Sequence, residues 1–137
     1  MANILYPDES YQIIGACLAV YNDKGCRFLE PVYQECLAIE FRFLKLSFVE
    51  HPEIMLKYRG QPLLQKYCPD FICFETILLE IKAVATLADV HRAQVINYLH
   101  ATGMRLGILI NFGNSAGLKY ERFVVGDSHR TGDRQSL

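Results

Sequence analysis

The stretch Ile77-Leu-Leu-Glu-Ile-Lys-Ala-Val84 constrains the fold more than any other part of the chain. Side chains alternate along a strand, so Leu78, Glu80, Lys82 and Val84 share one face while Ile77, Leu79, Ile81 and Ala83 share the other. Both faces are otherwise apolar, which predicts a central strand covered on both sides. A carboxylate and an ammonium placed there cost several kcal/mol per ion unless something compensates them. Taken alone, the pair reads as a structural ion bridge or as part of a functional site.

Its surroundings sharpen the choice. Ten residues earlier, Pro69-Asp70 enters the preceding β-rich segment. If the two strands form a hairpin, Asp70 and Glu80 lie side by side at one end of the sheet. Neighbouring carboxylates repel unless a cation sits between them. Two carboxylates, the Ile81 carbonyl and water form an all-oxygen set suited to Mg2+ or Mn2+. By itself, Asp70 reads equally as a turn residue at a strand start. On a helix over residues 88–102, His91, Gln94 and Tyr98 share a face. On a helix over residues 29–46, Glu30 and Tyr33 do the same, although a helix-start carboxylate such as Glu30 is also ordinary dipole chemistry.

The rest of the chain reads as one domain over residues 1–126. A helix is expected over residues 9–22, stopped at Asp23-Lys24-Gly25. Residues 47–58, 63–74 and 77–84 read as strands, with Arg59-Gly60-Gln61-Pro62 as a turn and a join at Glu75-Thr76. Residues 105–112 form a near-continuous apolar run, as a doubly buried strand should, and residues 118–125 supply a last strand. The order is α-α-β-β-β-α-β-β: an α/β fold with a mixed central β-sheet flanked by helices. Residues 127–137 are polar and read as a flexible tail.

Composition excludes several classes. With 137 residues, 51% of them apolar and 21% charged, the chain can bury a core without disulfides, and disorder is excluded for its bulk. No apolar run approaches the ~18 residues of a membrane span, so no membrane partner is expected. A net charge of −1 excludes a histone-like or tail-driven nucleic-acid binder but leaves room for a local basic groove. Five cysteines without a Cys-x-x-Cys pair, and no signal peptide, predict reduced thiols in a cytoplasmic protein.

Four segments resemble a known family. Phe28-Leu-Glu-Pro-Val-Tyr-Gln-Glu-Cys-Leu-Ala-Ile-Glu40 resembles the defining segment of the small prokaryotic GxxExxY proteins. Leu79-Glu-Ile-Lys-Ala-Val84 and His91-Arg-Ala-Gln-Val-Ile-Asn-Tyr-Leu99 are similar to the same family, as is the segment from Ala101 to Gly113. Arg27 stands where the naming motif has glycine. The family belongs by resemblance to the PD-(D/E)XK nuclease superfamily. That implies a restriction-endonuclease-like core, α-β-β-β-α-β, with an extra N-terminal helix and a C-terminal strand. It implies that Asp70, Glu80 and Ile81 hold Mg2+ or Mn2+, and that Lys82, Glu30 and Gln94 act in catalysis. Tyr98, Tyr33 and His91 are the side chains expected to touch substrate, which would be DNA or RNA; a homodimer is compatible with the reading. The implied activity is metal-dependent hydrolysis of phosphodiester bonds. The alternative is a catalytically silent nucleic-acid-binding or protein-interaction module that keeps the fold.

Overall fold

The computed structural model describes residues 4–126; the expected tail over residues 127–137 lies outside them. Two helices open the fold, α1 (Pro7–Lys24) and α2 (Glu30–Phe43). Each has proline in its first turn, where the missing N–H would have no intrahelical partner anyway. Strands β1 (Phe48–Glu50), β2 (Ile54–Tyr58), β3 (Gln61–Tyr67), β4 (Phe71–Cys73) and β5 (Ile77–Lys82) follow. Helix α3 (Asp89–Thr102) then leads to β6 (Leu106–Asn111) and β7 (Lys119–Val124). Helix α3 ends on Gly103, whose φ of 75° is a left-handed cap that most residues resist.

Five strands form one mixed sheet in the order β1-β4-β5-β6-β7. Only β5 and β6 run parallel, and α3 connects them. These two strands are the most buried, as their predominantly apolar sequences predict. Ile77, Leu79 and Ile81 pack with Ile108 and Ile110 into the core beneath α1 and α2. Leu78 and Leu109 face the other way, against Val95 and Leu99 of α3. Gly107 permits that approach, since a methyl group there would come within 2.8 Å of Val95.

The sheet corrects the expected strand list in one respect: five strands precede α3, not three. The segment 47–58 breaks at His51-Pro52, where His51 takes a φ of 51° and leaves the strand region. The segment 63–74 breaks at Cys68-Pro69-Asp70, because Pro69 has no N–H to give a ladder. Between these breaks, β2 and β3 form a separate two-stranded sheet. The expected four-residue turn shrinks to Arg59-Gly60, and Pro62 lies within β3 at an outer edge. With that hairpin set aside, the expected α-β-β-β-α-β order stands as α2-β1-β4-β5-α3-β6, with α1 before it and β7 after it.

The ends of β5 and β6 are tied by a side chain. Asn111 is buried, and its Nδ2 donates to the Val84 carbonyl at 2.8 Å. Its Oδ1 accepts from the N–H groups of Val84 and Gly113, both at 3.0 Å. The amide thus extends the sheet ladder past the point where β5 ends. A methyl group on Gly113 would fall 2.5 Å from the Val84 backbone, so only glycine fits beside this tie.

Removing that amide leaves Val84 short of a donor and an acceptor. Asn111→Ala is expected to destabilise the fold by about 2–4 kcal/mol, read from urea unfolding. A change within experimental error would show that water replaces the tie at no cost.

Candidate active site

Strands β4 and β5 pair antiparallel with Phe71 opposite Leu79. One step further along the same register, Asp70 falls opposite Glu80. The hairpin geometry expected from the sequence is therefore present, and both carboxyls sit at the end of β5 that carries Lys82.

Each acid is fixed by a different donor. The Asp70 Oδ2 accepts from the Ile81 N–H at 2.8 Å. The Asp70 carbonyl accepts from the His51 N–H at 3.1 Å and from the Gln34 amide at 3.4 Å. The Glu80 Oε2 accepts from the Tyr67 hydroxyl. Glu80 is only 8% exposed. Burial and the facing Asp70 push its carboxyl up to about 8, while the Tyr67 hydrogen bond and Lys82 pull the other way. Burial and the Glu80 charge hold the Tyr67 phenol well above its usual range, so it stays a donor.

Lys82 is partly buried beyond Glu80, and its carbonyl accepts from the Phe112 N–H at 2.8 Å. Among the described residues no carboxylate lies within ion-pair distance of its amine, so a structural ion bridge is not what occupies it. Glu30 starts α2 and feels both ends of the cluster. Burial raises its pKa, Lys82 lowers it and Asp70 raises it again. Four ionisable groups from α2, the entry to β4, and β5 thus share one local field.

Gln94 and Tyr98 reach this cluster indirectly. The Gln94 Nε2 donates to the Tyr98 hydroxyl at 2.7 Å. The Tyr98 ring stacks on Tyr67 at an interplanar angle of 20°, and Tyr67 bonds Glu80. Gln94 itself is exposed. Tyr67 and Gln34 are the two site residues the sequence did not single out. The one available signal was Tyr67's position three residues before Asp70.

Two further expected substrate contacts, Tyr33 and His91, each have a hydrogen-bond partner within the fold. Tyr33 has no exposed surface; its ring stacks on Phe112 at 4.6 Å and 9°. Its hydroxyl donates to the Gly25 carbonyl at 2.6 Å and accepts from the Phe28 N–H at 3.1 Å, which fixes the α1–α2 loop. Tyr33 therefore packs the loop and is not presented to a ligand. The structure places His91 in the first turn of α3, where its Nδ1 accepts from the Ala88 N–H at 3.0 Å. That bond satisfies one of the helix's orphan donors.

The donor set fits a hard divalent cation. Asp70 and Glu80 each keep one carboxylate oxygen outside the hydrogen bonds above. The Ile81 side chain is buried in the core, so only its main chain can serve the site. Among the described residues no three His, Cys, Asp or Glu side chains gather as a ready-made metal cage. Two carboxylates with a carbonyl and several waters is the pattern Mg2+ favours over an all-protein cage.

Comparison with known proteins places this chain in a family. A family model described as the PD-(D/E)XK nuclease superfamily matches residues 7–123. No curated protein and no solved structure matches the chain.

The facing carboxyls predict a pH effect on the metal-free protein. A carboxyl whose folded pKa exceeds its unfolded value holds a proton that the unfolded chain has already released. The fold then loses stability as pH rises from about 5 to about 8. In chelator, the melting temperature should fall across that window. Asp70→Asn keeps an acceptor for the Ile81 N–H but removes the repulsion, so it should raise the melting temperature at pH 8. An unchanged or lower value would mean that the two carboxyls do not sense each other.

Proposed function

The chain belongs to the PD-(D/E)XK nuclease superfamily, and on that premise we propose that it is a divalent-metal-dependent nuclease that hydrolyses nucleic-acid phosphodiester bonds. The observation that carries the reading is the meeting of Asp70 and Glu80 across β4 and β5, with the amine of Lys82 two residues further along the strand. The finer placement among GxxExxY proteins rests on the segments quoted above, with Arg27 in the glycine position. No helix among the described residues is long and apolar enough to cross a membrane, and the cytoplasmic assignment rests on the five free cysteines.

In this reading Asp70, Glu80 and the Ile81 carbonyl hold Mg2+ or Mn2+. Such an ion, when bound, lowers the pKa of water and offsets the charge that develops on the phosphate. The chain's own residues do the rest. Lys82, partly buried, brings three donors and a positive charge to the phosphate oxygens, and its partial removal from solvent strengthens that attraction. Water attacks phosphorus, the P–O bond to the departing sugar breaks, and a proton moves from the attacking oxygen to the leaving one. Glu30, half-buried at the helix start, holds and orients water for that attack. Gln94, uncharged and able both to donate and accept, positions the scissile phosphate or a water without adding charge. Tyr98 sets the Gln94 amide and carries Tyr67, which in turn fixes Glu80.

Purified protein with Mg2+ or Mn2+ should cut DNA or RNA, scored as fragments from end-labelled strands on a denaturing gel. Lys82→Ala should reduce cutting by about 10²-fold or more, with an unchanged far-UV spectrum and melting temperature. Wild-type protein that binds these substrates yet leaves them whole with either ion would assign the fold to a silent binding module.

Adding Mg2+ should also raise the melting temperature of the wild type at pH 8, because an ion that binds only the folded state stabilises it. Glu80→Gln should abolish most of that rise. Equal rises in both proteins would place the ion elsewhere.

A further inference from the structure

Strands β2 and β3 are the one strand pair among the described residues that stands outside the main sheet. The inner residues of this hairpin, Ile54 and Leu56, pack beside Tyr67 against the α3 side of the core. It is rooted at the site, since Ile54 pairs with Tyr67 and the Tyr67 hydroxyl bonds Glu80. From that root, the seven residues of β3 extend roughly 20 Å.

The charge on the hairpin is one-sided. Residues 54–67 contain Lys57, Arg59 and Lys66 and no acid, in a chain whose net charge is −1. Lys66 is paired with Glu53 at 3.5 Å. Among the described residues, Lys57 and Arg59 have no acidic partner. The same hairpin exposes large apolar side chains: Tyr58 is 66% exposed and Leu64 is 95% exposed. Leu64 lies where the pairing register slips, with residues 63–65 facing Leu56 alone. Bulges of this kind turn a side chain out of the sheet and recur beside functional sites.

The turn adds an independent sign. Arg59 and Gly60 close the hairpin with φ of 52° and 78°, the positive values that a type I′ turn needs at both centres. Asparagine is the usual first residue there. Arginine carries backbone strain of about 1–3 kcal/mol in this region. A cation is thus held at the tip at a local cost.

We propose that the β2–β3 hairpin is the substrate-gripping wing of the nuclease site and takes nucleic acid with unpaired bases, Lys57 and Arg59 meeting phosphates while Tyr58 and Leu64 meet base faces. This rests on the nuclease reading and names its substrate class. Phosphates complement the unpartnered cations. Unstacked bases offer flat apolar faces that an aromatic ring and a protruding leucine can cover, whereas a blunt duplex keeps those faces inside its own stack.

The test uses the full chain carrying Lys82→Ala, with Mg2+ present, so that substrate survives. Binding of short fluorescein-labelled single strands, of DNA and of RNA, is compared with a matched blunt duplex by fluorescence anisotropy. At least one single strand should bind several-fold more tightly than the duplex. Tyr58→Ala and Leu64→Ser should each weaken single-strand binding about fivefold or more and leave duplex binding nearly unchanged. Arg59→Asn installs the favoured turn sequence, so its melting temperature should equal or exceed the wild type. It should nevertheless weaken binding and reduce the salt slope by about 0.7.

Active wild-type protein whose hairpin variants bind single strands as tightly as their parent would overturn the wing alone. Tighter binding of the blunt duplex would do the same. A concentration-dependent dimer that Leu64→Ser dissociates, with oligonucleotide affinity unchanged, would make the patch a contact between two copies. Absence of all nucleic-acid binding and cutting would overturn the nuclease reading itself.

Discussion

Two carboxyls that repel each other, Asp70 and Glu80, are held face to face across β4 and β5, and much of the architecture serves to keep them there. Repulsion alone would splay the strand ends. The chain counters it with main-chain pairing below the acids and with one dedicated donor to each. Ile81 gives its N–H to Asp70, and Tyr67 gives its hydroxyl to Glu80. Because β5 is covered on both faces, Glu80 cannot escape into solvent without disturbing the core, whereas Asp70, at the entry to β4, is partly exposed. Such a pair, one acid buried and the other partly open to solvent, is poorly suited to stabilising a fold and well suited to receiving a cation.

The supports form a layered arrangement. Behind Tyr67 stands Tyr98, stacked on it, and behind Tyr98 the Gln94 amide. On the other side, His51 and Gln34 hold the Asp70 carbonyl. Beyond Lys82, Asn111 extends the pairing of β5 with β6, so the strand that carries the amine does not fray where it matters. Hydrogen-bonded amides and phenols linked in this way are rigid only while every partner is present. Such supports come from α2, α3 and three different strands, which makes the site a property of the assembled sheet and not of any one segment.

The hairpin β2–β3 plays no part in that scaffold except at its root. Its pairing is irregular, its tip is strained and its outer side chains are exposed. The coincidence of these features with unpartnered positive charge, adjoining Glu80 through Tyr67, gives the hairpin a purpose that packing does not supply.

The sequence by itself determined the central strand and its ions. Alternation in residues 77–84 places Glu80 and Lys82 on one face whatever the rest of the chain does, and a proline-marked acid ten residues earlier fixes its opposite number once the strands pair. The helices and the two buried strands were legible for the same reason, since period and continuity of apolar residues are local properties. Tertiary structure alone decided the breaks at Pro52 and Pro69, which made five strands from an expected three, because a proline's effect depends on which neighbour needs its missing N–H. It also decided that Tyr33 is packed inside while Tyr67 meets Glu80. Both residues are tyrosines near an acid in sequence, and only the three-dimensional position of a hydrogen-bond partner distinguishes a ring that fills the core from one that holds a carboxylate.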